Sequence, residues 1–207
     1  IRQRLIEIGD FCGGHLASNL GVVELSLVRH SLFNSPKDKI VWDTSHQAYV
    51  HKMLTGRLSQ MLTIRQEGGL SGFTNIFESE HDAFGAGHAS TALSAALGFA
   101  HSSELLQTPF SSIAIIGDSS LSSGMSFEAL NNAVRLKSNF ICILNDNDMA
   151  ISEPVGNMAN YMTKVRTSAL YDQARKLFEG VFGSIPKSAP LKRRIEKSID
   201  RFRDIII

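Results

Sequence analysis

Cysteine is scarce: Cys12 and Cys142 are the only two in 207 residues. Neither belongs to a CxxC pair or a His/Cys cluster, which argues against both a zinc site and a disulfide framework. Cys142 falls inside the apolar run FICIL, where a thiol acts as a small core residue, and the pattern fits a reducing, cytosolic setting. An excess of one charge is missing too, since 21 Lys and Arg balance 20 Asp and Glu to a net +1. No basic block dominates, so nucleic acid is not an expected partner. The tail is locally basic (Lys187, Lys192, Arg193, Arg194, Lys197), but Glu196 and Asp200 interrupt it, and a solvated helix face accounts for it. No apolar run reaches the roughly 18 residues of a membrane span, so the chain reads as soluble with no membrane partner. Repeats and low-complexity segments are absent, and the length suits one sizeable core better than two domains.

What is present is a series of apolar runs that stop at polar punctuation. Ile113 to Ile116 stops at Gly117-Asp118, and Phe140 to Leu144 stops at Asn145-Asp146-Asn147, with a helical pattern between them. Two buried strands joined by a helix form a parallel βαβ unit. Upstream, Ile40 to Asp43 reads as a strand whose end delivers Thr44, Ser45 and His46. Helical spacing predicts helices over Ile1 to Ile8 (broken by Gly9 to Gly14), Leu20 to Phe33 and Gln47 to Leu54 (closed by Gly56). In the second of these, Leu25, Val28 and Leu32 share a face. Asn34 to Asp38 is a turn. Gly68 to Asp82 lacks a period and reads as a loop, with Glu78, Glu80 and Asp82 solvated rather than metal-binding. Ala89 to Leu106 is a helix rich in small residues (Ala92, Ser94, Ala95, Ala96, Gly98), which predicts close packing on a neighbour. A loop over Gly156 to Thr163 and helices over Ser168 to Phe178 and Pro190 to Arg203 follow. Trp42 and the phenylalanines read as core, His30 as a surface or capping residue, and His51, His81 and His101 take no role. The order of elements predicts an α/β fold with a mainly parallel sheet flanked by helices.

In such folds ligands bind beyond the carboxyl ends of the strands, where this chain places its polar residues. Asp118 and Asn147 follow two of the strands, and a carboxylate with an amide oxygen suits a hard cation such as Mg²⁺. The alternative for Asp118 is a helix N-cap. Gly85-Ala86-Gly87-His88 ahead of a helix offers amides where the helix dipole favours an anion; the alternative is a plain loop-to-helix turn. His15 and His46 also fall on loops, and an imidazole can act as both acid and base near neutral pH. A nicotinamide-binding domain would need a Gly-x-Gly-x-x-Gly turn that Gly117-Asp118-Ser119 does not supply.

Gly117-Asp118 with Asn147 resembles the Gly-Asp-Gly…Asn motif of thiamin-diphosphate enzymes. The segments TIRQEGGLSGF, SEHDAFGAGHAS, GMSFEALNNA and ILNDNDMAISEPVG narrow the resemblance to the transketolase-like 1-deoxy-D-xylulose-5-phosphate synthases, from about Phe11 to near the end of the chain. The resemblance implies a thiamin-diphosphate-binding fold with thiamin diphosphate and Mg²⁺ as cofactors. It implies cofactor contacts at His46, Gly87, His88, Ala89, Ser119, Ser120 and Asn147. It implies metal ligation by Asp118, Asn147 and the Met149 carbonyl, with His15 and His46 as catalytic residues. The reaction implied is decarboxylating condensation of pyruvate with D-glyceraldehyde 3-phosphate, the first step of the methylerythritol phosphate isoprenoid route and a source of thiamin and pyridoxal precursor. A cytoplasmic homodimer is implied, or a plastid stromal one in a plant or alga.

Residues 1–207 then form the N-terminal diphosphate-binding domain, and the pyrimidine-binding and C-terminal domains lie outside this chain. The apolar ending Ile205-Ile206-Ile207 and the start without Met are expected of a piece of a longer protein, inactive by itself. Three positions depart from the family pattern: Ser119 and Ser45 stand where Gly is usual, and Ala89 where Ser is common. They keep open a diverged paralogue or split subunit with another substrate, and a non-catalytic thiamin-binding module.

Overall fold

The computed structural model describes residues 1–134 and 139–145. Asn147, Met149 and the elements expected beyond Pro154 lie outside those residues. The centre is β2 (Ser112–Gly117), an unbroken apolar run of the kind that forms when both faces of a strand are covered. It lies between β1 (Lys39–Trp42) and β3 (Phe140–Asn145), and both pairings are parallel. The register aligns Trp42 with Ile115 and Gly117 with Asn145, so all three carboxyl ends open on one edge. The expected parallel α/β architecture is therefore present.

Strand alternation divides the core. Ile40, Trp42, Ile113 and Ile115 pack with Val22, Leu25 and Ala48 on one face of the sheet. Each fully buried isoleucine there contributes about 2 kcal/mol. Helix α5 (Ala92–Leu105) packs on β1 and β2, with Ala92, Ala96 and Ala100 buried. The approach is close enough for the Ser112 hydroxyl to donate to the Ala96 carbonyl at 2.6 Å. Ser94 and Gly98 face outward, so only part of the small-residue composition serves packing. A second cluster joins α1 (Arg2–Cys12), α2 (Leu16–Gly21), α3 (Val23–Leu32) and α4 (Tyr49–Lys52) through Leu5, Ile8, Val23, Val50, Met61 and Ile64.

Several boundaries differ from the sequence expectation. Helix α1 runs through Gly9 to Cys12, because Leu16 packs against the bare face of Gly9 and replaces a side chain there. The break comes at Gly13 and Gly14, with φ of +66° and +118°. The helix expected from Leu20 begins at Leu16 and is interrupted at Val22, whose φ/ψ of −111°/16° leave the helical region. Val28 and Leu32 are exposed; the inward residues are Val22, Leu25, Ser26 and Arg29. After α4 the backbone widens over Met53–Arg57 and turns at Gly56, φ +88°, where the closing glycine was expected; a 3₁₀ segment over Leu58–Thr63 follows.

Between β2 and β3 stand two helices rather than one, α6 (Asp118–Leu121) and α7 (Gly124–Ala133), with Ser123 capping the second. Trp42 is core, but no phenylalanine among the described residues is fully buried, and Phe77 is 92% exposed. Branched aliphatics and alanine fill the narrow spaces beside the sheet instead. Among the described residues no helix is long and apolar enough to cross a membrane.

Candidate functional site

Two turns bring His15 and His46 together. Gly14 must be glycine, because its φ is +118° and a Cβ would lie 2.6 Å from the Tyr49 hydroxyl. The chain leaves this turn at His15 and returns at the end of β1 with His46, the two rings meeting edge to face at 4.9 Å between centroids. Asn19 holds the arrangement: its amide NH₂ donates to the His15 carbonyl at 2.8 Å and the His46 carbonyl at 2.9 Å, and its oxygen accepts the Tyr49 N–H at 2.9 Å. Fully buried at 0% exposure, Asn19 is a site-building residue that the sequence reading did not single out. Burial, then the neighbouring His15, lowers the His46 pKa against the opposing pull of Asp43, so His46 is neutral at pH 7. Its Nδ1 is buried with no hydrogen-bond partner among the described residues.

The glycine segment Gly85–Ala89 lies along the same edge. Gly87 has φ +151°, and a Cβ on Gly85 would meet nothing within 4 Å, so the backbone here is open to a ligand. Gly87, His88 and Ala89 are exposed, and the His88 Nδ1–H donates to the Ala89 carbonyl at 2.8 Å, leaving Nε2 outward. The expected placement at a helix N-terminus is corrected, because α5 begins only at Ala92. The first amide of that helix is already taken: the Asp43 carboxylate accepts from Ala92 N–H at 3.2 Å, and from Ser90 N–H in the turn ahead of it at 3.0 Å. A carboxylate in that position uses the favourable end of the helix dipole for the chain itself. The Ser90 hydroxyl then donates to the Ser120 carbonyl at 2.9 Å, which also accepts from the Ser126 hydroxyl at 2.8 Å. The glycine segment and the turn after β2 are thus one hydrogen-bonded unit.

Asp118 opens α6, and Gly117 occupies the N-cap position, so the helix-cap reading of Asp118 does not apply. Its half-buried carboxylate makes no hydrogen bond or ion pair among the described residues. Ser119 takes the negative φ of a helical residue, which any side chain adopts. Its hydroxyl is at an exposed position, and its carbonyl accepts from Ser122 at 2.7 Å. Among the described residues, no group of three or more His, Cys, Asp or Glu gathers as a metal site.

The loop expected to be solvated proves to be anchored by buried charge. Asp82 accepts both Arg57 amino groups at 2.8 Å, His51 at 3.1 Å and the Asn75 N–H at 2.9 Å. Glu78 accepts from Arg57, Lys52 and the Ser71 N–H. Arg29 offers only donors, so His51 Nδ1 accepts from it at 3.3 Å; the His51 proton is on Nε2 and is donated to Asp82. Burial, opposed by the Asp82 hydrogen bond, lowers His51 to about 4. Burial, then the charges of Arg29, His51 and His81, lowers His30 to about 3. Burial alone would raise the Asp82 carboxyl, but hydrogen bonds from Arg57 and His51 outweigh it and hold it well below the usual range. His51 is thus fully buried, and His30, expected at the surface, is half-buried against it.

A family model described as 1-deoxy-D-xylulose-5-phosphate synthase matches residues 1–207. The chain belongs to this synthase family. It is 50% identical over 206 residues to a 1-deoxy-D-xylulose-5-phosphate synthase of Syntrophomonas wolfei, covering 100% of this chain and 32% of that protein. The synthase of Pelotomaculum thermopropionicum is 48% identical over 207 residues, 100% of this chain and 32% of its own length. That of Rhodobacter capsulatus is 52% identical over 186 residues, 90% of this chain and 29% of its own. The chain spans about a third of the length of the curated relatives it matches.

Proposed function

We propose that residues 1–207 are the diphosphate-binding domain of an enzyme that condenses pyruvate, with loss of CO₂, and D-glyceraldehyde 3-phosphate to 1-deoxy-D-xylulose 5-phosphate. The observation that carries the reading is the buried Nδ1 of a neutral His46, paired with His15 and set on the same strand edge as an open glycine segment and Asp118, neither Nδ1 nor the Asp118 carboxylate having a partner among the described residues. That donor set fits thiamin diphosphate and Mg²⁺. His46, Gly87, His88, Ala89, Ser119, Ser120 and Asn147 would hold the cofactor, and Asp118, Asn147 and the Met149 carbonyl would hold the metal. When bound, thiamin diphosphate supplies the nucleophilic carbon and the electron sink for decarboxylation.

The chain's own part is positional and protonic. The backbone at Gly85 and Gly87 admits the diphosphate closely, and Asp118 supplies hard oxygen to the cation that neutralises it. His46, neutral and half-buried, keeps a hydrogen-bonding nitrogen free for a ligand. His15, exposed beside it, is placed to exchange a proton with solvent or substrate. The aminopyrimidine-activating Glu and the arginines for the phosphosugar belong to the rest of the full-length protein, a cytoplasmic or plastid stromal homodimer. Glu128 is no substitute, since it lies exposed on α7.

The test is CO₂ release from pyruvate by the full-length protein with Mg²⁺ and thiamin diphosphate. Release that requires glyceraldehyde 3-phosphate and yields the deoxypentulose phosphate is the expected result. A folded protein that releases none, or that prefers another acceptor, would replace this reading with that of a diverged paralogue or a non-catalytic thiamin-binding module.

A further inference from the structure

Two successive residues of the histidine turn hold backbone conformations that a side chain resists, Thr44 at φ +54° and Ser45 at φ +70°. Ser45 is fully buried, and its hydroxyl oxygen accepts the Thr74 N–H at 2.9 Å. Thr74 is buried as well; its hydroxyl donates to the Phe84 carbonyl at 2.8 Å and its carbonyl accepts the Ala86 N–H at 3.2 Å. One side-chain oxygen therefore links the turn that carries His46 to the segment that leads into Gly85 and Gly87. A glycine at position 45 would fit the backbone better but would leave the Thr74 N–H buried without this acceptor.

We propose that Ser45 is a positioning residue whose hydroxyl fastens the His46 turn to the glycine segment and so sets the width of the cradle for the cofactor diphosphate. This rests on the proposed function for the identity of the ligand and on geometry for the link. The hydroxyl contributes through an interaction between two parts of the site, so its loss loosens ligand binding more than it slows the bound enzyme.

The experiment compares Ser45→Ala and Ser45→Gly in the full-length protein. Thiamin diphosphate is titrated with Mg²⁺ by intrinsic fluorescence, and amide exchange is followed at Thr74 and Ala86. Both variants are expected to raise the dissociation constant and the cofactor KM about tenfold, with kcat at saturating cofactor within about twofold, and to speed exchange at both amides. Ser45→Gly removes the backbone strain, so it reports the lost acceptor even if Ser45→Ala folds poorly. Wild-type affinity in Ser45→Gly would overturn the proposal, whether exchange is faster or unchanged. If the wild-type protein binds no thiamin diphosphate, the functional reading fails by itself. Exchange at Thr74 and Ala86 then still decides the link, unchanged rates overturning it and faster rates supporting it.

Discussion

Asp43 and Asp82 are both buried carboxylates, each 2% exposed, and they serve regions built on different terms. Around Asp82 the partners are side chains, the cations Arg57 and, at 3.9 Å, Lys52 together with the neutral His51, and Glu78 completes the set. Both carboxylate oxygens of Asp82 have partners. Around Asp43 the partners are backbone amides, and the groups beside it are incomplete among the described residues: His46 Nδ1 has no partner there and the glycine segment stands open. A saturated buried carboxylate is scaffolding. Spare hydrogen-bonding capacity at a strand edge is what a ligand consumes, so in this molecule incompleteness marks the site better than charge does.

The comparison breaks most visibly at Asp82. Asp82→Ala takes from the buried Arg57 and Lys52 one of the two carboxylates they share, leaving Glu78 alone against both, and is expected to cost about 3–5 kcal/mol in urea denaturation of the full-length protein. A loss below about 1 kcal/mol would mean that the network does not hold residues 71–86 in place.

Acid probes the same region more gently. His51 is held near 4 in the folded protein against about 6.5 in the unfolded chain. Between those values the unfolded chain binds more protons, so stability falls as pH drops from about 6.5 to about 4, by on the order of 3 kcal/mol. His51→Gln can keep both hydrogen bonds without titrating, and it is expected to flatten the slope of the unfolding midpoint against pH across that window. An unchanged slope would place the acid sensitivity elsewhere. At the open edge the expected stability effect is smallest. Asp118→Asn should move the unfolding free energy by no more than about 0.5 kcal/mol while abolishing Mg²⁺-dependent cofactor binding by the full-length protein. A large stability loss there would make Asp118 scaffolding after all.

The parts of this arrangement that were legible in the sequence are local ones. Apolar runs of four to six residues ending at Gly117-Asp118 and at Asp43 carry strand, direction and edge in one short stretch. The loop placement of His15 and His46 was legible too, whereas the contact between their rings came only with the structure. The unread parts depend on distant partners. Glu78 and Asp82 sit in an aperiodic, polar stretch, and the side chains that pair with them lie 21 to 31 residues upstream. Asp43 gave no sign of capping a helix 49 residues later. Gly9 and Val22 show the same limit at smaller scale, since what crosses one and breaks at the other is decided by packing rather than by propensity.

The strand order also fixes a sequence of events. Ser112 pairs with Phe140, 28 residues on, whereas Lys39 must wait for Ser112, 73 residues on. The extra length costs only roughly 1 kcal/mol in closure entropy, but it places the two halves of the edge at different stages of assembly. During synthesis Ile40 to Trp42 emerges long before the strand that will cover its hydrogen-bonding edge, and an unpaired apolar strand invites association between chains. The surface already made by then is the Val22 and Leu25 side of α3, on which Ile40 and Trp42 finally pack. Weakening that face of α3 is expected to show first as a loss of yield on refolding.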